Sequence, residues 1–342
     1  MEKRREIDFA NVFLCLLVML IHILSKAVSA LDRTSLQFAA VYIPSRLSSF
    51  VVQGFIFLSA VKYFMRYKDG GFDYGKFIKA RLKTIVIPYI LWNIIYYFAL
   101  MPLGYFIFDM GELIKYIFLG NMISHFYFVV IIVQFYVLMP FWLWIVKKIK
   151  PSALIPVSAV IMIIFGQYAF ADFVYNDRIF LKYIFYWICG CYVGSYYEKV
   201  IMWIKKYSKY IIAVFAAAAV TDGLLTWVNS AGIRYIGGLE NIHIIYCTVA
   251  IAFVLTLGVY ISGYIVDKKI FSVINRQSYN IYLSHCLTLY YADYIAAECF
   301  SFGQGELLLF RAFVCCISTF VLWGAYDCIK RRIMYKSGSR NR

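Results

Sequence analysis

Charge is scarce in this 342-residue chain. Asp, Glu, Lys and Arg together make up 15%, against 63% hydrophobic residues, and the mean hydropathy is +0.74. That scarcity excludes an ordinary soluble domain, which has too little interior to hide so much apolar surface. The chain lacks a Walker phosphate loop, a Rossmann glycine fingerprint and a His-Glu-x-x-His zinc helix, so the common nucleotide and zinc-hydrolase signatures are excluded. It has no internal repeat, no low-complexity segment and no inverted pair of broken helices of the kind secondary transporters use. The nine cysteines do not form a disulfide framework. Cys15, Cys189, Cys191, Cys247, Cys286, Cys315 and Cys316 lie inside apolar runs, and only Cys299 is expected to be exposed on the outer side. Cys189-Gly190-Cys191 has no nearby histidine in sequence, so no metal is expected. The net charge is +16, yet no basic stretch is long enough to line a nucleic-acid groove.

What is present is a series of long apolar runs. They fall near 9–30, 46–65, 84–106, 126–146, 153–171, 180–198, 209–228, 242–264, 278–297 and 307–328. Each is continuously apolar rather than alternating, which predicts helices and excludes a barrel, because backbone groups in lipid must be satisfied within the segment. The expected architecture is an all-α integral membrane bundle of about ten transmembrane helices. Pro88 and Pro102 interrupt the third run. Short linkers predict one bundle over 1–335, followed by a basic cytoplasmic tail over 336–342. Charge supports the count: with both termini in the cytoplasm, 26 of the 34 basic residues fall on the inner side. The first run has some features of a signal peptide, but its length, its His22 and the nine runs that follow predict a retained span. The expected location is the cell membrane, with membrane lipids as neighbours.

Ionisable groups inside such runs cost about 2.5–3.5 kcal/mol each at the centre of a span and are candidate sites. A straight helix carries His22 roughly 21 Å beyond Asp8, past the midplane. It is either a general base or relay, or a packed histidine. His285, about two turns into the ninth run, leaves the same choice open. His125 and His243 are expected at outer interfaces as packing or anchoring residues. Asp222, Arg311 and Arg46 predict a buried Asp–Arg pair whose members the sequence does not identify. Gln53, Gln134, Gln167 and Asn93 are expected to hydrogen-bond between helices. The loop Arg66–Lys83 is the densest basic patch, suited to lipid headgroups or to a cofactor's phosphates.

Several segments together resemble the membrane-bound acyltransferase 3 family. They are Arg5-Glu6-Ile7-Asp8 before the helix of His22, and Phe55-Ile56-Phe57-Leu58-Ser59-Ala60. Next come Phe77-Ile78-Lys79-Ala80-Arg81-Leu82-Lys83 leading to Pro88, and His125-Phe126-Tyr127-Phe128 with Pro140. The last is Ser278 to His285, similar to the family's Ser-x-x-Ile-Tyr-Leu-x-His. In that order they cover nearly the whole chain.

The resemblance implies O-acylation of a cell-envelope carbohydrate, with acyl-CoA, usually acetyl-CoA, as cytoplasmic donor. It implies a glycan or lipid-linked sugar as acceptor and a polysaccharide synthase as partner. His22 matches the family's essential histidine. Arg81 matches the first arginine of its Arg-x-x-Arg motif and, with Lys79 and Lys83, is the expected donor-binding group. Asp8, Asn11, Ser59, His285, Asp222 and Arg311 are the expected cavity-lining residues. Two positions depart from the pattern: Asn11 stands where the family carries a cation, and Thr84 replaces the second arginine. Both losses of charge leave polysaccharide export without catalysis as the alternative.

Overall fold

The computed structural model describes residues 4–339, with side chains over 4–333. Lys3 and Arg340–Arg342 lie outside the described residues, so of the expected tail only helical backbone to Ser339 is described. The described residues contain no strand. Fourteen α-helices follow in order: α1 (Arg5–Ala30), α2 (Leu36–Ser48), α3 (Val51–Tyr67), α4 (Tyr74–Arg81), α5 (Ile87–Leu100), α6 (Met110–Leu119) and α7 (Tyr127–Val137). The rest are α8 (Met139–Lys148), α9 (Pro151–Ile164), α10 (Ile184–Ser195), α11 (Tyr197–Ser230), α12 (Leu239–Ile265), α13 (Lys269–Cys299) and α14 (Gln304–Ser339).

All ten expected runs fall on helix. Seven helices among the described residues are long and apolar enough to cross a membrane, or eight if α7 and α8, bent by 60°, make one span. The second run starts earlier than expected, because α2 and α3 join across a two-residue turn into one stretch, Leu36–Tyr67. Two expected runs fall outside that number for different reasons. The helix α10 has only 12 residues. The helix α13 has 31, but carries Asn275, Arg276, Gln277, Ser278, Asn280 and His285.

A broken helix was not expected, yet α7 and α8 break at Leu138–Met139. Pro140 opens α8 and cannot donate to the preceding turn. The carbonyls around the break find other donors: Trp142 Nε1 reaches Phe135 O at 3.1 Å and Tyr74 Oη reaches Val137 O at 3.0 Å. The third run is remodelled too. Residues Leu82–Val86 form a π turn before Pro88, and Pro102 lies in a 3₁₀ turn that ends at Gly104.

The chain divides into two compact units. In the unit Val52–Trp203, α10 packs on α8, α9 and α3. Gly190 and Gly194, one turn apart on α10, let it approach α3. A Cβ on Gly194 would lie 2.5 Å from Val61 O, and one on Gly190 would lie 2.8 Å from Ala60 Cβ. Beside them Trp187, fully buried, stacks on Phe135 with centroids 4.5 Å apart.

In the unit formed by Glu2–Val51 and Ile204–Arg342, α1 packs against α2, α12, α13 and α14. Gly258 on α12 admits α1, since a Cβ there would meet Glu6 O at 2.8 Å. Helices α1 and α13 run parallel: Asn11 pairs with Asn275 and Ser278, and Lys26 with Asp293 fifteen residues further along.

Candidate active site

The polar residues of α13 turn toward α1 and α14 and form a seam through the apolar bundle. At its start, Asn11 Nδ2 donates to Asn275 Oδ1 at 2.8 Å and to Ser278 Oγ at 2.9 Å. Neutral amides therefore occupy the place where the resemblance leads one to expect a cation. Asp8 is half-buried, one turn before Asn11 on α1. Arg276 grips Asp327 of α14 with two bonds, at 3.0 and 2.7 Å, and Gln277 adds a third at 3.1 Å. Trp323 Nε1 donates to Ser284 Oγ at 2.8 Å.

The seam's centre is a pair of imidazoles. The rings of His22 and His285 lie 5.2 Å apart between centroids, tilted by 55°. His285 is fully buried, and its Nδ1 lies 2.9 Å from Tyr282 O and 3.1 Å from Ile281 O. Carbonyls only accept, so Nδ1 carries the hydrogen and Nε2 is left as the acceptor atom. His22 is half-buried. One turn further, Arg311 of α14 binds the backbone of α1: Nε to Ile23 O at 3.1 Å and an Nη to His22 O at 2.6 Å. Its other Nη pairs with Asp293 of α13, to which Lys26 also lies within 3.7 Å. Arg311 is 3% exposed. A buried guanidinium held by a carboxylate and two helix carbonyls locks the turn of α1 that bears His22. Asp293 escaped the sequence reading, although an acid late in an apolar run was a usable signal.

Asp222, expected in the same cavity, belongs to a separate cluster. It is fully buried on α11, with Oδ2 2.9 Å from His243 Nδ1 and 3.5 Å from Arg46 Nε. Asp222–Arg46 and Asp293–Arg311 thus supply two buried acid–arginine pairs where one was expected. His243, 6% exposed, is a buried member of that network rather than an interfacial anchor.

In the other unit, Arg81 donates to Tyr63 Oη and lies over the rings of Tyr63 and Phe77, at 5.4 and 5.6 Å from their centroids. Tyr136 hydrogen-bonds to Tyr63 and to Ser59, which joins Ser59 to the Arg81 network. The Arg81 Nε is buried and has no hydrogen-bond partner. Arg81 immediately precedes the π turn, a local irregularity common at functional sites. Lys79 and Lys83, two positions away on either side, do not share its face and are exposed. Asp73 caps α4 by accepting from Lys76 N at 3.0 Å, and Lys76 holds its carboxyl below the usual range. A cavity of about 850 Å³ opens beside this loop, lined by Lys68, Gly70, Phe72, Trp144 and Lys147 among others. Of the expected interhelical amides, Gln134 reaches Arg178 O at 2.7 Å, whereas Asn93 Nδ2 turns back to Tyr89 O on its own helix. His125 is buried against Phe126, and no disulfide joins any of the nine cysteines.

A family model described as an acyltransferase domain, that of acyltransferase 3, matches residues 4–328. The chain belongs to the acyltransferase 3 family. Among curated relatives, "Probable poly-beta-1,6-N-acetyl-D-glucosamine export protein" of Staphylococcus aureus (strain MSSA476) is 25% identical over 233 residues. The match covers 63% of this chain and 63% of the relative, so the chain spans less than two thirds of that protein's length. "Putative membrane-bound acyltransferase YfiQ" of Bacillus subtilis (strain 168) is 27% identical over 309 residues, covering 82% of this chain and 80% of the relative. No solved structure matches the chain at a significant level.

Proposed function

We propose that this acyltransferase 3 protein moves an acyl group, acetyl or succinyl, from cytoplasmic acyl-CoA to the hydroxyl of a cell-surface polysaccharide or lipid-linked sugar. The observation that carries the reading is His22, a half-buried imidazole on an apolar helix. Its backbone turn is clamped by Arg311, and a second imidazole lies 5.2 Å away. An imidazole so placed can take the proton of the attacking sugar hydroxyl and return it to the leaving thiolate, or carry the acyl group itself. His285 keeps Nε2 as its acceptor atom, 3.4 Å from Cys286 Sγ, because its Nδ1 is committed to the helix backbone. The donor's phosphates suit Arg81, whose buried Nε has no partner, with exposed Lys79 and Lys83 nearby in sequence. Lys68 and Lys147 line the adjoining cavity and add charge of the required sign. In this reading the chain crosses the plasma membrane ten times with both ends in the cytoplasm, and a polysaccharide synthase delivers the acceptor.

The test is His22→Ala in the intact membrane, read by the mass of surface glycans. The expected result is an acylation rate lower by on the order of 10²–10⁴-fold with protein level unchanged. Full acylation by that variant would remove His22 from the mechanism. The name of the staphylococcal relatives favours a second reading, polysaccharide export without chemistry. A strain lacking the gene separates the two: export predicts glycan retained in the cell, whereas acyl transfer predicts surface glycan that lacks the ester.

A further inference from the structure

We propose that Ser49 is a second acyl-accepting nucleophile, activated by His243 and Asp222 and able to take an acyl group from an ester or thioester as a covalent seryl ester. Three helices build the site. Asp222 lies on α11, next to Gly223, whose missing side chain admits α2: a Cβ there would lie 3.0 Å from Ile43 Cγ2. His243 projects from the first turns of α12, and Ser49 closes the C-terminus of α2. Asp222 Oδ2 lies 2.9 Å from His243 Nδ1, and His243 Nε2 lies 3.0 Å from Ser49 Oγ.

Donor and acceptor rules fix the order. A carboxylate only accepts, so Nδ1 carries the hydrogen; in the neutral ring Nε2 is then an acceptor, free to take the hydroxyl hydrogen in place of Arg46 O. Nucleophile bonded to base, and base bonded to an orienting acid, is the arrangement that activates a serine. Ser49 Oγ also lies 2.7 Å from Arg46 O, so its hydrogen has two acceptors, one of them the base. Arg46 Nε, 3.5 Å from Asp222 Oδ2, balances the carboxylate while the ring is neutral. The Tyr246 ring lies along His243, centroids 5.8 Å apart, and its hydroxyl donates to Leu47 O at 2.5 Å, which holds the end of α2 in place.

A second observation separates this cluster from inert packing. Asp222 Oδ1 and Arg46 Nε are both buried without a hydrogen-bond partner. Buried polar atoms kept only for structure are nearly always satisfied. Ser49 itself is part-buried, unlike Asp222 and His243, which are buried within the bundle.

In the step, Ser49 Oγ attacks the acyl carbon and forms a C–O bond, and its proton moves to His243 Nε2. The C–S or C–O bond of the donor then breaks, and its leaving group takes that proton. A hydroxyl or water reverses the sequence and frees Ser49. That the acyl group comes from the donor of the main reaction rests on the acyltransferase reading; the nucleophilicity of Ser49 does not.

The experiment exposes the full-length protein in detergent to a fluorophosphonate probe, which modifies activated serines with loss of fluoride, and maps the adduct by peptide mass. The expected adduct is on Ser49, absent in Ser49→Ala, and formed on the order of 10²-fold more slowly in His243→Gln. Thermal melts check that each variant folds; should His243→Gln not fold, the peptide map of the native chain and Ser49→Ala alone decide. His22→Ala is expected to label at the native rate, so failure of acyl transfer and failure of this site give different results. A folded native chain with Ser49 unmodified overturns the proposal, and so does undiminished labelling of folded His243→Gln.

Discussion

A guanidinium buried in a helical bundle must spend its five N–H groups on acceptors. Arg311 makes four such bonds, to His22 O, Ile23 O, Ser25 Oγ and Asp293. The fork shape lets one side chain reach both α1 and α13, which a lysine cannot reproduce. Arg311→Met leaves half-buried Asp293 to Lys26 alone, 3.7 Å away, and should cost about 1–3 kcal/mol. Thermal unfolding in detergent should show the full loss for Arg311→Met and a partial recovery for Arg311→Lys. Equal midpoints for Arg311→Lys and the native chain would deny the two carbonyl bonds any role. Sequence singled out Arg311 and Asp222 as charges in need of partners, because a lone charge in lipid is costly whatever its neighbours. It did not supply the partners. Ser49 and His243 are 194 positions apart, and no local pattern links them.

At the level of elements, close approach is set by what is missing. Gly190 and Gly194 put one face of α10 against the backbone of α3, a small-x-x-x-small contact that replaces the hydrophobic driving force absent in lipid. Gly190→Val should overpack this crossing and lower stability by about 1–3 kcal/mol, read as a lower melting midpoint. The same change at Gly263, which has open space around it, should be close to neutral and controls for helix propensity. The motif was visible in the sequence, but there it read only as part of a cysteine-flanked apolar run. The break between α7 and α8 was also only half legible. Pro140 marks a discontinuity, yet the 60° bend depends on Trp142 and Tyr74 supplying donors to stranded carbonyls.

At the scale of the whole molecule, orientation is the open consequence of charge. Reporter fusions in the loops near 69, 149 and 267 should report a cytoplasmic location, and fusions near 33, 174, 235 and 302 an external one. An external signal near 149 would overturn the ten-crossing arrangement. Apolar runs and flanking cations could be read one segment at a time. A segment's transfer free energy and its pull on orientation depend on its own side chains and its immediate neighbours. That is why every expected run proved helical. The histidine pair, the clamp of Arg311 on α1 and the Ser49–His243–Asp222 line depend on which helices become neighbours and in what register. Those choices are settled by the joint packing of many side chains at once, with glycines setting how closely backbones meet. Sequence alone therefore determined a helical membrane protein and named some of its costly polar residues. Tertiary structure decided which of those residues meet, because hydrogen bonds and ion pairs act over a few ångströms between groups far apart along the chain.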